Sequence, residues 1–349
     1  MSAFTCPVVQ VTNITKHPNA DTLSCATIEG CPVIFGTEMF KEGDFAIYVP
    51  VDAVVPETVP DTEWLGTGKH RRIKAKKLRG IFSMGLLLPY FTRYKKMDSY
   101  GYNDARWLSA PSCYVGLDLA DEFEITKYEE PEPLFMQTEQ APAPKTPNTP
   151  PIYDVESFRK YHHLFTPGEE VYLSEKIHGT NARFVYWDGK LHCGSHKTWK
   201  AMDERNLWWK VAKAYNLEEK LKRDPGMIVY GEIHGRVQDL TYGAKPNELF
   251  FRAFDVYHTG VGQWLSYMPF VSWCDELEIP RVPTLYRGPY SSFEALAHLA
   301  EGKSTIASHI REGFVIKPVD ERWNNETGRT IAKLVSESYL LRKGGSEFH

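Results

Sequence analysis

The chain has 349 residues, with 41 Lys and Arg against 45 Asp and Glu and a formal net charge of −4. This length suits two domains, each with its own core, and the slightly acidic balance excludes a protein that coats nucleic acid by bulk charge. No apolar run approaches the roughly 20 residues of a membrane span, and residues 1–10 lack the basic-then-apolar pattern of a secretory signal, so a cytoplasmic protein without a membrane partner is expected.

Six scattered cysteines (Cys6, Cys25, Cys31, Cys113, Cys193, Cys274) contain no Cys-x-x-Cys. They read as reduced thiols rather than a disulfide frame or a zinc site. Residues 1–128 are strand-rich, with runs at Val8 to Ile14, Ser24 to Glu29, Pro32 to Gly36 and Phe45 to Val49 separated by turn residues. Many short strands with regular turns predict a small β-barrel. Between Lys69 and Arg79 seven of eleven residues are basic: Lys69, Arg71, Arg72, Lys74, Lys76, Lys77 and Arg79. No acidic residue occurs from Trp64 to Met97, and Tyr90, Phe91 and Tyr94 follow. Such a run suits a phosphate backbone, because each neutralised phosphate releases condensed counterions. The segments His17-Pro18-Asn19-Ala20-Asp21-x-Leu23 and Leu78-Arg79-Gly80-Ile81 resemble the OB-fold domains that bind tRNA in some synthetases.

Residues 129–151 hold seven prolines and show neither helical nor strand periodicity, which predicts a semi-extended linker. From 152 to 349 the pattern is mixed. Helices are predicted near 201–218, 262–278 and 292–301, and strands near 182–187, 227–232, 249–257, 312–317 and 329–335. Their irregular alternation favours an antiparallel α+β domain over a doubly wound one.

The chemistry converges on Ser174-Glu175-Lys176-Ile177-His178-Gly179-Thr180-Asn181. A lysine between two strand-like runs is held on rigid backbone, and lysine is the cation that most readily gives up its proton to become a nucleophile. Downstream come Val229-Tyr230-Gly231-Glu232-Ile233-His234-Gly235, Phe251-Arg252-Ala253-Phe254-Asp255, Arg311-Glu312-Gly313-Phe314-Val315-Ile316-Lys317 and Thr330-Ile331-Ala332-Lys333-Leu334-Val335. In this order and spacing the five segments resemble motifs I, III, IIIa, IV and V of the covalent nucleotidyltransferases. Lys-x-His-Gly-x-Asn at motif I is similar to nick-sealing RNA ligases. The order of an OB-like module ahead of the motifs, with only sixteen residues after Lys333, resembles the Deinococcus-type RNA ligases.

That resemblance implies a two-sheet α+β nucleotidyltransferase domain binding ATP between its sheets. Lys176 would be the nucleophile, Lys333 the grip on the α-phosphate, and Glu312 and Glu232 the ligands of Mg²⁺ or Mn²⁺, with Glu232 also beside the ribose. Phe254 would stack on adenine next to the Glu175 backbone, Asn181 would brace the turn or touch phosphates, and His178 would be needed in a role the sequence does not define. Two departures stand out. Val335 takes the place of a second motif V lysine, for which Lys317 or Arg329 is the expected substitute. His196 and Lys197 stand where an arginine is usual. The implied partner is a nicked RNA duplex or RNA–DNA hybrid, sealed by a monomer with RNA preferred on the 3′-OH side. A capping-type guanylyltransferase, a DNA ligase and a non-catalytic nucleic-acid-binding protein remain alternatives.

Overall fold

The computed structural model describes residues 4–59, 62–90, 115–129 and 138–343; the side chains of Lys69 and His70 lie outside that description. Phe91, Tyr94 and Cys113 also fall outside it. The chain divides into two compact units, Met1–Tyr128 and Glu129–His349.

In the first unit ten strands are described: β1 Val8–Gln10, β2 Thr15–Lys16, β3 Leu23–Ile28, β4 Cys31–Gly36, β5 Phe45–Val49, β6 Ala53–Val54, β7 Lys76–Leu78, β8 Ile81–Ser83, β9 Leu86–Pro89 and β10 Thr126–Lys127. They pair antiparallel, in the orders β1-β5-β9, β2-β3-β4, β7-β8 and β10-β6. The predicted Val8–Ile14 run stops at Gln10 because Asn13 takes a left-handed conformation (φ 54°) whose N–H donates to Glu42. Two small cores fill the unit, one around Val8, Ile47 and Leu88 and the other around Val33, Phe35 and Tyr48.

The second unit adds β11 Gln140–Ala141, β12 Glu156–Ser157, β13 Glu170–Lys176, β14 Thr180–Trp187, β15 Lys190–Gly194, β16 Trp199–Lys200, β17 Met227–Gly235, β18 Leu249–His258, β19 Gln263–Trp264, β20 Thr284–Pro289, β21 Gly313–Pro318, β22 Trp323–Asn324, β23 Gly328–Arg329 and β24 Ala332–Val335. Two large sheets result, β11-β16-β15-β14-β17-β18-β19 and β12-β24-β21-β13-β20. Only the β12–β24 pair among the named strand pairs is parallel. The protein is thus a mixed α+β chain with mostly antiparallel sheets, as the sequence pattern predicts. The first sheet packs its inner face (Ala182, Phe184, Val229, Ile233, Phe251, Ala253) on helices α1 Leu207–Ala214 and α2 Tyr267–Glu276. Helix α1 begins at 207 rather than 201 because Asn206 caps it, accepting from the Trp209 N–H. The second sheet buries Leu173, Phe314, Ile316, Ala332 and Leu334.

The proline-rich segment belongs to this second unit. In its described part β11 pairs with β16, the Lys145 and Pro151 carbonyls accept from the Trp187 indole and the Tyr230 hydroxyl, and Asn148 donates to Thr259 O. Prolines cannot extend a ladder, but their free carbonyls accept such side-chain bonds.

Candidate active site

Strand alternation decides what faces what. Register pairs Lys176 with Gly313, Ser174 with Val315, and Val315 with Lys333. Residues paired across antiparallel strands share a face, so Lys176, Lys333 and Lys317 all project from one side of the second sheet. The opposite side carries its apolar core. On the first sheet Asn181 pairs with Glu232 and Arg183 with Tyr230, which puts these four on the side away from Phe184 and Phe251.

Lys176 Nζ lies 2.5 Å from Glu312 Oε1, with the ammonium half-buried and the carboxylate buried. The Glu232 carboxyl stands close enough to feel both. Burial pushes it up to about 8, the Glu312 charge adds to that, and Lys176 and the Gly179 N–H oppose it. Glycine is required at 179, because a Cβ there would run into the carbonyl of Ile233 and the Glu232 side chain. The motif I turn therefore packs directly on β17. The remaining Glu312 oxygen, Oε2, and Asn181 Oδ1 are buried without a hydrogen-bond partner.

His178 is buried and bonded on both ring nitrogens, to Asp239 Oδ1 and to the Tyr339 hydroxyl, each at 2.8 Å. Its N–H donates to the Tyr242 hydroxyl at 2.7 Å. Glu175 points away from the lysine face. Its Oε2 accepts from the Thr305 N–H and hydroxyl, and its N–H donates to Pro283 O.

Phe254 faces the polar side by simple alternation, since Phe251 and Ala253 face the core, and the irregularity that follows it brings Asp255 to that side as well. The β17–β18 register shifts between Tyr230 and Gly231, so Phe254 is the extra residue on its strand. Its half-buried ring lies 4.6 Å from Tyr153 by centroids and packs with Ile177, Tyr242 and Val282. Phe251, three residues earlier, is fully buried in the core.

Several predicted residues sit elsewhere than expected. Lys317 is buried and spent on Asp255 Oδ2 (2.7 Å) and the Phe254 carbonyl (3.2 Å), while Arg329 bonds the same Asp255 oxygen and Glu321. Neither is a free substitute for the absent motif V lysine. Both hold the bulge that carries Phe254. Burial pushes Lys317 down, against the opposing pull of Asp255. Lys197 is paired with Glu129, and His196 lies on Tyr153 O and Asp154. Lys333 is half-buried, and its charge reaches Glu156 on the neighbouring β12.

In the first unit the basic run divides. Arg71 is buried and donates to the carbonyls of Val55, Pro56, Thr62 and Gly66, so it is a scaffold residue and not part of a nucleic-acid surface. Arg72 pairs with Asp52 and covers the Tyr128 ring at 3.8 Å. Lys74, Lys76, Lys77 and Arg79 are exposed. The two halves of the OB-like motif meet here: His17 bonds Leu78 O and Asn19 donates to Arg79 O.

Sequence reading missed Tyr339, Asp239, Tyr242 and Arg183. The last is a buried guanidinium 4.4 Å from the Trp199 ring, on the same face as Asn181, with its Nε unpartnered. An arginine in strand register with motif I was its one visible signal.

Two mostly antiparallel sheets whose polar faces carry a lysine, two carboxylates and a second lysine define a nucleotidyltransferase-type domain, here following a small β-domain. Residues 169–335 match the family model for RNA ligase, and residues 6–90 match that for an OB-fold domain. Residues 169–335, the segment holding Lys176, Glu232, Glu312 and Lys333, thus form an RNA ligase family domain, and the protein is a ligase enzyme. No curated sequence matches it significantly. Among solved structures, a variant of the Naegleria gruberi RNA ligase with ATP and Mn is similar over 96% of this chain and 98% of its own, at 22% identity and a TM-score of 0.80. Another variant of that enzyme, with AMP and Mn, is similar over 97% and 98%, again at 22% identity and 0.80. At this identity the likeness carries the fold: an OB-fold domain followed by a ligase domain.

Proposed function

We propose that this enzyme uses ATP with Mg²⁺ or Mn²⁺ to seal 3′-OH/5′-phosphate nicks in duplex RNA or RNA–DNA hybrids, with RNA preferred on the 3′-OH side. The path runs through AMP bonded to Lys176. The observation that carries this reading is the 2.5 Å contact of Lys176 Nζ with Glu312 Oε1, on the sheet face that also bears Lys333.

An amine must lose a proton before it attacks phosphorus. Glu312 Oε1 is positioned to hold that proton while Nζ forms its bond to the α-phosphorus and the bond to pyrophosphate breaks. Lys333, from the same face, is suited to grip the α-phosphate as charge builds on its oxygens. Phe254 offers adenine a ring fixed by the Lys317 bond to its carbonyl. AMP then passes from Lys176 to the nick 5′-phosphate, and the 3′-OH displaces AMP. All three steps are phosphoryl transfers at one set of side chains.

A divalent metal fits this site. The buried, unpartnered Glu312 Oε2 and Asn181 Oδ1 are hard oxygen donors, and the Glu232 carboxyl sits beside them. Glu312 and Glu232 would hold the ion, which when bound supplies charge neutralisation for the phosphate oxygens and the leaving group. Among the described residues no three His, Cys, Asp or Glu side chains cluster as a metal cage.

The test is acid-stable transfer of label from ATP, and separately GTP, to the protein. Label is expected from ATP alone, lost in Lys176→Ala, with binding to nicked duplex retained. A fully labelled Lys176→Ala enzyme would remove the lysine from this role.

A further inference from the structure

The residues that follow β24 reach back into the motif I turn. Ser336 donates its N–H to Glu312 O and its hydroxyl to Arg311 O, and it caps the short helix α3, Glu337–Leu340, by accepting from the Tyr339 N–H. Tyr339 is fully buried, and its hydroxyl lies 2.8 Å from His178 Nδ1. On the far side of the imidazole, Nε2 meets Asp239 Oδ1 at 2.8 Å, and Asp239 is held by Arg342 Nε at 3.0 Å. The Arg342 guanidinium in turn covers the Tyr339 ring at 3.5 Å.

These partners assign the tautomer. A carboxylate can only accept, so Nε2 carries the hydrogen and donates it to Asp239. In a neutral ring Nδ1 is then an acceptor, and the Tyr339 hydroxyl is its donor. That occupied Nδ1 stands 4.0 Å from Glu312 Oε2, the buried oxygen without a partner. Its occupation by Tyr339 keeps the imidazole from turning a donor onto Glu312 and drawing that carboxylate away from Lys176.

We propose that Tyr339 is a positioning residue for nucleotidyl transfer: from α3 it fixes the tautomer and orientation of His178, which in turn holds the Lys176 turn against Glu312. The proposal rests on the reading above, in which Lys176 carries AMP. Nothing in motif spacing announces it, since Tyr339 and His178 lie 161 residues apart.

The experiment uses the full-length enzyme. Tyr339→Phe keeps the ring and its stack on Arg342 but removes the hydroxyl. Three things are measured: the rate of label transfer from ATP, its KM for ATP, and the ring ¹⁵N shifts of His178, assigned by their loss in His178→Asn. The expected result is a rate about 10- to 100-fold lower at unchanged KM, with His178 departing from the Nε2–H signature. In the His178→Asn background, Tyr339→Phe should cost nothing more. A wild-type rate in Tyr339→Phe, or a loss that simply adds to that of His178→Asn, overturns the proposal. Should Tyr339→Phe fail to fold, Arg342→Gln loosens Asp239 on the other side of the ring and is held to the same cycle and the same outcomes. The underlying reading fails differently, through a wild-type enzyme that takes no label or a Lys176→Ala enzyme that keeps it.

Discussion

Glu232 and His234 lie two apart on β17, and burial acts on them in opposite senses. The Glu232 carboxyl is pushed up to about 8 from 4.5, while burial, with Arg252 and His309 nearby, pushes the His234 imidazole down to about 3 from 6.5. Both stay neutral where the unfolded chain would charge them. For Glu232, between pH 4.5 and 8 the folded state keeps a proton the unfolded state has lost, so stability falls as pH rises through that window. For His234, between pH 6.5 and 3 the unfolded state gains a proton the folded state refuses, so stability falls as pH drops. Each slope is about 1.4 kcal/mol per pH unit at full strength. The two oppose each other near pH 5–6, and above pH 6.5 the Glu232 slope stands alone. Thermal melts in chelator should therefore show an alkaline loss from about pH 6.5 to 8 that is absent in Glu232→Gln. An unchanged alkaline loss in that variant would place the titration elsewhere. His234→Leu should flatten the acid side, and it removes two buried ring nitrogens that have no partner.

At the scale of elements, charge alone misleads. Lys69 to Arg79 reads in sequence as one basic strip, because nothing local reveals which arginine finds carbonyls. The carbonyls that capture Arg71 belong to Val55, Pro56, Thr62 and Gly66, and only folding brings them around one guanidinium. Arg71→Ala should destabilise the first unit by on the order of 3 kcal/mol, seen in its unfolding midpoint, because several buried acceptors lose their donor at once. Replacing Lys74, Lys76, Lys77 and Arg79 with alanine should leave that midpoint in place. It should weaken RNA binding and reduce the slope of log K against log salt, by somewhat under one per lost phosphate contact. An unaltered salt slope would exclude these four from the interface. Most of the ligase strands, by contrast, were legible, since alternation and Gly/Pro punctuation are local signals, but the strand expected over 329–335 divides into Gly328–Arg329 and Ala332–Val335. Lys176, Glu232 and Glu312 were named instead by the resemblance of their segments to family motifs. That Phe254 faces away from Phe251 was legible from alternation, but the bulge that sets Asp255 on the same side was not, because it depends on how β18 pairs with β17. The same holds for Lys317: a strand lysine looks available until Asp255 is placed against it.

For the whole molecule, the proline-rich segment bears on where the ligase unit begins. Composition suggested a spacer, yet residues 138–151 supply a strand and several acceptors to the second unit. A fragment starting at Ile152 would leave the Tyr230 hydroxyl, the Trp187 indole and the Thr259 carbonyl without those partners. At about 0.5–1.5 kcal/mol for each lost bond, it should be less stable by roughly 3 kcal/mol than a fragment starting at residue 138. Both fragments retain Lys176, Glu232, Glu312, Lys333 and α3, so the longer one should take label from ATP at close to the full-length rate. Both lack the OB-fold unit and should seal nicks poorly, because the exposed lysines that would hold the duplex are gone. Equal melting temperatures for the two fragments would reduce residues 138–151 to a passive tether. Full nick sealing by the longer fragment would instead mean that the ligase unit grips the duplex by itself, and the basic surface of the first unit would need another purpose.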